Sequence, residues 1–306
     1  MIDVRIAQQR PQVRRLAVSA VCVVAALLAW SGIATRPAAA AVPGLTRVMA
    51  TSTFDTSPTS GVIGYCPDDT VLLSASYEMI GGGNDVRLLS LDGTTTPPKA
   101  VQLHTITDSD GVEPTGWSGT PWGARVILIC ARPGFRQEVT RTYGPVSSSS
   151  LQSAVARCPA GMSVLGVGGG VDWYPTARHI VIDENFTPNA TLTAASVTAQ
   201  EDETGTPDEW RVRAMAICSE PLPGLQRVAA TSAGGSASYK SVTATCPEGK
   251  RVVGSGGDIR RAGGQVTMTA IAPTPDLTAV RVQAYEDDTG TDANWYAVAY
   301  AVCAYP

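Results

Sequence analysis

The sequence predicts an all-β protein of three tandem repeats, residues 43–132, 133–222 and 223–306, each a roughly six-stranded, sandwich-like unit with one disulfide. Three observations carry this. Pro43-Gly44-Leu45, Pro133-Gly134-Phe135 and Pro223-Gly224-Leu225 recur at a spacing of 90, and self-similarity at a fixed period is the signature of a repeat architecture. Each repeat holds a Cys-Pro pair (Cys66-Pro67, Cys158-Pro159, Cys246-Pro247) and ends on a second cysteine (Cys130, Cys218, Cys303), with Trp122, Trp210 and Trp295 each eight residues before it. Small and β-branched residues dominate, and no apolar stripe keeps a helical period over three turns. Pleated strands joined by turns fit that composition better than helices.

Residues 1–41 stand apart. Arg5, Arg10, Arg14 and Arg15 precede an apolar run from Leu16 to Trp30, and Ala39-Ala40-Ala41 supplies small residues for cleavage. This is the pattern of a secretory signal peptide. The run is short for a membrane span, and Arg14-Arg15 also permits twin-arginine export. Residues 1–41 hold five arginines and one aspartate, so the remainder carries 18 basic and 26 acidic residues, a net charge of −8. Such a chain has no electrostatic footprint for nucleic acid or anionic lipid. No later stretch is apolar enough to span a bilayer, so the expected location is secreted and extracellular.

The third repeat reads most clearly. Its expected strands are Leu225–Ala230, Ser241–Cys246, Arg251–Gly254, Gln265–Ile271, Thr278–Tyr285 and Trp295–Cys303. Turn signals separate them, including Pro247-Glu248-Gly249, Gly256-Gly257, Gly263-Gly264 and Asp288-Thr289-Gly290. Side chains alternate along a strand, so Trp295, Ala297, Ala299, Ala301 and Cys303 share one face, as do Trp210, Val212, Ala214, Ala216 and Cys218. Arg211 and Arg213 take the opposite face, which leaves the tryptophan face as the buried one. The tryptophan is expected to close the far end of the core from the disulfide, since eight residues of strand span roughly 26 Å.

Six cysteines outside the leader allow fifteen connectivities. The repeat favours Cys66–Cys130, Cys158–Cys218 and Cys246–Cys303. A metal site is the weaker rival, because no C-x-x-C occurs and the only histidines are His104 and His179. An immunoglobulin sandwich would want its tryptophan soon after the first cysteine and a tyrosine two before the second. Leu128, Ala216 and Ala301 hold those latter places. Two assemblies stay open: three separate units in a row, which repeats of this size with their own cysteines favour, or one closed pseudo-threefold domain of the β-prism or trefoil kind.

Cys158-Pro159-Ala160-Gly161, Gly168-Gly169-Gly170 and the closing Ala299-Tyr300-Ala301-Val302-Cys303-Ala304 look like a module of secreted proteins from high-GC Gram-positive bacteria. The resemblance covers all three repeats, although Cys66-Pro67-Asp68-Asp69 lacks the turn glycine. It implies an extracellular bacterial setting and no particular activity.

Chemistry is sparse. A Ser-His-Asp site needs a histidine oriented by an acid beside a nucleophile, and neither G-x-S-x-G nor H-E-x-x-H occurs. His104 and His179 read as strand or turn residues, and no enzyme activity is expected. Gly81-Gly82-Gly83 and Gly168-Gly169-Gly170 lack the following helix of a phosphate loop and read as close backbone approach or bulges. Acidic segments precede a turn glycine in every repeat: Asp108 and Asp110; Glu201, Asp202 and Glu203; Glu286, Asp287 and Asp288. Clustered carboxylate oxygens suit Ca²⁺, so these form a candidate calcium set, against the plainer reading of acidic β-turns. Trp117, Trp173 and Tyr174 are aromatics that the repeats do not share. They are candidates for stacking on sugar rings, or else pack over an edge. The expected role is non-enzymatic binding to an extracellular glycan or cell-surface component, with a protein-interaction module or a β-sandwich hydrolase as alternatives.

Overall fold

The structure, a computed structural model, describes residues 41–81, 86–93, 99–107, 121–172, 179–182 and 185–306. Their regular elements are β-strands. The first repeat supplies β1 (Thr46–Thr51), β2 (Thr59–Tyr65), β3 (Val71–Ile80), β4 (Val86–Gly93), β5 (Ala100–Thr107) and β6 (Gly123–Ala131). The second supplies β7 (Gln137–Tyr143), β8 (Leu151–Arg157), β9 (Ser163–Asp172), β10 (Ile180–Val181), β11 (Thr187–Pro188), β12 (Ala194–Glu201) and β13 (Arg211–Ser219). The third supplies β14 (Gln226–Thr231), β15 (Tyr239–Thr245), β16 (Arg251–Arg260), β17 (Val266–Pro273), β18 (Ala279–Glu286) and β19 (Tyr296–Ala304).

These strands form four antiparallel sheets in a propeller-like ring. Sheet one runs β1-β6-β3-β17-β18-β15, and sheet two runs β2-β5-β4-β9-β13-β7. The third has β12 at its centre with β8, β10 and β11, and the fourth is β14-β19-β16. An isolated bridge, Phe186 to Gly257, joins these last two. Sheets one and two each cross a repeat boundary: Ala270 and Ile271 of β17 pair with Glu78 and Tyr77 of β3, and Ser90 and Leu91 of β4 pair with Gly170 and Gly169 of β9. Residues 39–306 accordingly form one compact unit. This corrects the expectation of self-contained sandwiches. Strand edges that a separate sandwich would leave open are paired with the neighbouring repeat instead.

The seams explain the glycines. Gly256-Gly257, expected as a turn, lies inside β16, and Gly168–Gly170 lies inside β9. A Cβ on Gly254 would stand 1.8 Å from the Leu165 carbonyl oxygen, and one on Gly168 would stand 2.5 Å from that of Leu91. Backbone from the next repeat occupies the volume of the missing side chains. Gly81 has a φ of +76° with Pro121 O 2.8 Å from a would-be Cβ, while Gly82 and Gly83 lie outside the described residues. One extra residue bulges each of the three long strands, at Leu73, Leu165 and Val253, increasing their local twist.

The expected buried face is the buried face. Trp122, Trp210 and Trp295 are at most 1% exposed, among alanines and valines of β6, β13 and β19. The disulfides are Cys66–Cys130, Cys158–Cys218 and Cys246–Cys303, with Cα–Cα distances of 5.9, 5.6 and 5.8 Å. The first joins the end of β2 in sheet two to β6 in sheet one, stapling the corner between them. The loops closed are 64, 60 and 57 residues, each worth about 4 kcal/mol in the chain-entropy model. Tyr77 binds three repeats together: its hydroxyl donates to Met268 O at 2.9 Å and its ring meets Phe186 edge-on at 6.4 Å.

Candidate functional site

Two polar regions stand out, one at the acidic turns and one on the outer face of sheet one. Trp117, Trp173, Tyr174, Asp108 and Asp110 lie outside the described residues. The other acidic-turn residues come together across repeats.

The first acid of each turn serves the core. Glu201 Oε1 accepts the indole N–H of Trp210 at 2.9 Å, and Glu286 Oε1 accepts that of Trp295 at 2.7 Å. The second acid shapes the turn. Asp202 Oδ1 accepts the backbone N–H of Thr204 and Gly205, and Asp287 Oδ1 accepts that of Gly290. Their other oxygens differ. Asp202 Oδ2 is 2.7 Å from Arg87 Nη1, in a pair whose side chains are 1% and 0% exposed, with His179 Nδ1 at 3.5 Å. Asp287 Oδ2 is buried with no hydrogen-bond partner. Desolvation pushes the Asp287 carboxyl above its ordinary value; Thr289 and Gly290 oppose this, Glu203 adds to it, and Arg87 opposes it.

Glu203 reaches into the third repeat. Its Oε2 accepts from Gln265 Nε2 at 2.6 Å. Thr289 Oγ1 lies 2.7 Å from Glu203 Oε1, 2.7 Å from Gln265 Oε1 and 2.9 Å from Asp287 Oδ1. A hydroxyl has one proton to donate, so Thr289 serves one of these oxygens at a time. The cluster is a polar joint between repeats two and three. Asp288 is exposed. Among the described residues no group of three or more His, Cys, Asp or Glu is disposed to hold a metal ion. His104 lies half-buried in β5.

The second region is a groove of about 450 Å³ on the outer face of sheet one, where β3 meets β17. Glu78, Arg125, Thr269, Gln283 and Tyr285 line it, with Ile80 and Gly81 at its end. Strand alternation puts Glu78, Arg125 and Gln283 on the outer face in one row, since Glu78 pairs with Arg125 in β6 and with Ala270 in β17, which pairs with Gln283. Glu78 Oε2 is 2.9 Å from Arg125 Nη1, and Oε1 is 3.5 Å from Arg281 Nη2. Tyr285 packs against Tyr239 with centroids 4.5 Å apart, and Gln283 Nε2 donates to the Tyr239 hydroxyl at 2.6 Å. Tyr239 is 41% exposed. The groove therefore offers an aromatic wall, an amide, a buried hydroxyl and fixed charges, a combination that suits a polyhydroxylated ligand with an apolar face.

Neither a family model nor a curated protein matches the chain. None of the groove's polar or aromatic side chains was a binding candidate from the sequence, because they belong to strands of two repeats. A signal was present, however. Glu78 and Arg125 interrupt apolar strands, and Glu78 takes the place that Gly170 and Asp258 take in β9 and β16.

Proposed function

We propose that this is a secreted, non-enzymatic β-repeat protein that binds an extracellular surface polymer, a glycan or cell wall, through the outer face of sheet one. The observation that carries the reading is the Tyr239–Tyr285 wall beside Gln283, Thr269 and the Glu78–Arg125 pair at the seam between repeats. An aromatic face beside rigid planar hydrogen-bonding groups matches a sugar ring, which has one apolar face and a rim of hydroxyls. Glu78 is committed to two guanidinium groups and so acts as a positioning charge. Trp117, Trp173 and Tyr174 would add stacking surface of the same kind.

Secretion is supported by the leader-like residues 1–41 and by three disulfides, which persist in oxidising compartments. Among the described residues no helix is long and apolar enough to cross a membrane. The seams support reading the three sequence repeats as one closed pseudo-threefold ring, in which each repeat lends half of its strands to the next. The resemblance to secreted modules of high-GC Gram-positive bacteria fits this setting.

A pull-down on insoluble glycans and cell walls tests the reading. Retention on at least one polymer is expected, weakened about tenfold by Tyr285→Ala, the loss of one stacking platform. Retention on none would overturn it.

A further inference from the structure

The groove on sheet one carries a charge imbalance that goes beyond sugar stacking. Arg125 of β6 and Arg281 of β18 flank a single carboxylate, Glu78 of β3, and Arg47 of β1 stands four residues further along the ladder from the Thr51–Arg125 pair. Arg125 and Arg281 take one Glu78 oxygen each, at 2.9 and 3.5 Å. Arg125 Nε also donates to Thr51 Oγ1 at 3.3 Å. Arg47 is less well served. Its Nη1 donates to Met49 Sδ at 2.8 Å, a weak acceptor, and its Nε is buried with no hydrogen-bond partner. Arg281 and Arg125 keep 46% and 32% of their side chains exposed, so their outer N–H groups face solvent.

Arg125 and Arg281 against the one Glu78 carboxylate leave a local surplus of one positive charge. The chain beyond residue 41 has a net charge of −8, so the surplus is held against the sign of the whole. Arg47 extends it: with Arg251 it borders a second groove of about 380 Å³ beside Asp276. The Asp276 carboxylate is engaged with the hydroxyls of Thr274 and Thr278. Guanidinium groups bind carboxylates and phosphates through paired N–H donors, and here several are held in place before any ligand arrives.

We propose that the ligand of this face is an anionic polymer, with carboxylate or phosphate groups at Arg125, Arg281 and Arg47 and its ring or polyol backbone against Tyr285 and Tyr239. The proposal rests on the surface-binding reading above and narrows it to a charge class. Glu78 then sets the spacing of the arginines and competes with the incoming anion.

The test is binding of the purified protein to three soluble polymers: polygalacturonate for carboxylates, poly(glycerol phosphate) for phosphates, and a neutral glucan. Binding to one or both polyanions is expected, weakening about tenfold or more between about 50 mM and about 500 mM NaCl as the charges are screened. Arg281→Ala and Arg125→Ala are each expected to weaken it about tenfold, and Glu78→Gln to strengthen it. Arg281 is the more exposed, so Arg281→Ala remains informative if Arg125→Ala fails to fold. Which polyanion binds better separates carboxylate from phosphate recognition. Equal, salt-insensitive binding to the neutral glucan would overturn the charge class and leave surface binding standing. Binding to none of these polymers and to no insoluble cell wall would overturn both.

Discussion

Trp295 Nε1 donates to Glu286 Oε1 across 2.7 Å, and Trp210 Nε1 donates to Glu201 Oε1 across 2.9 Å, each pair nine residues apart in sequence. In the first repeat Thr107 stands at the end of β5, where β12 and β18 end on these glutamates, and the Trp122 indole turns to Ser57 O at 3.0 Å. In the second and third repeats the acid next to the turn thus supplies the one polar partner that a buried tryptophan needs.

Removing that partner leaves an indole N–H unpaired inside the core. Glu286→Ala is expected to cost about 2–3 kcal/mol, because an unsatisfied buried donor loses its full desolvation penalty. Glu286→Gln keeps an acceptor oxygen and is expected to cost less than about 1 kcal/mol. Urea denaturation monitored by tryptophan emission measures both. Equal losses for the two variants would mean that side-chain volume, not the hydrogen bond, carries the effect.

The buried Asp287 carboxyl gives stability a pH dependence of known sign. The Asp287 carboxyl is raised above its ordinary value of 3.8, so the folded state holds a proton that the unfolded state releases. Its contribution is full below 3.8 and is lost as pH rises through the folded-state value. The groups facing it, Glu203, Thr289, Gln265 and Arg87, come from both repeats and from β4. Asp287→Asn removes the titration while keeping the shape. It is expected to flatten the stability–pH curve from about pH 4 upward and to raise the melting temperature at neutral pH. A variant curve parallel to that of the wild type would show that Asp287 does not titrate in this window.

The acidic turns also bear on calcium. Several of these carboxylates are engaged by indoles, backbone N–H groups and Arg87, and among the described residues no three of them converge on one point. A bound ion present at about 100 times its dissociation constant would add about 2.7 kcal/mol, readily seen as a shift of several degrees. EDTA, or millimolar Ca²⁺, is expected to move the melting temperature by less than about 1 °C. A larger rise with Ca²⁺ would point to Asp108 and Asp110, which lie outside the described residues.

Strand positions, the buried tryptophan face and the cysteine pairs were legible because each depends on local alternation or on the repeat. β18 runs Ala279–Glu286 where Thr278–Tyr285 was expected, and β19 runs Tyr296–Ala304 where Trp295–Cys303 was expected. The sheets were not legible, since edge pairing such as Ala270 with Glu78 is a non-local choice between strands 192 residues apart. The same reason hid the groove, whose Arg125 and Tyr285 meet only once that seam has formed. Gly256-Gly257 misled for a related cause: a glycine pair signals a turn to a single-chain reading, and here the backbone at Phe186 and Thr187 crowds Gly256 while Met268 and Ile271 fill the space beside Gly257.

The backbone approach at Gly254 is the most demanding packing in the molecule. A Cβ on Gly254 would lie 1.8 Å from Leu165 O and 2.8 Å from the carbonyl carbon, neither of which can swing aside as a side-chain tip could. Both groups sit in bulged stretches of the long strands β16 and β9, so relief would require the two strands to separate. Gly254→Ala is therefore expected to cost at least about 3 kcal/mol or to prevent folding outright, at the upper end of overpacking penalties. Gly134 has open space around its would-be Cβ and no positive φ, so Gly134→Ala serves as the control, with a change within about 0.5 kcal/mol. Chemical denaturation of the two variants side by side decides it. Similar small losses at both positions would mean that β9 and β16 are not pressed together at this seam.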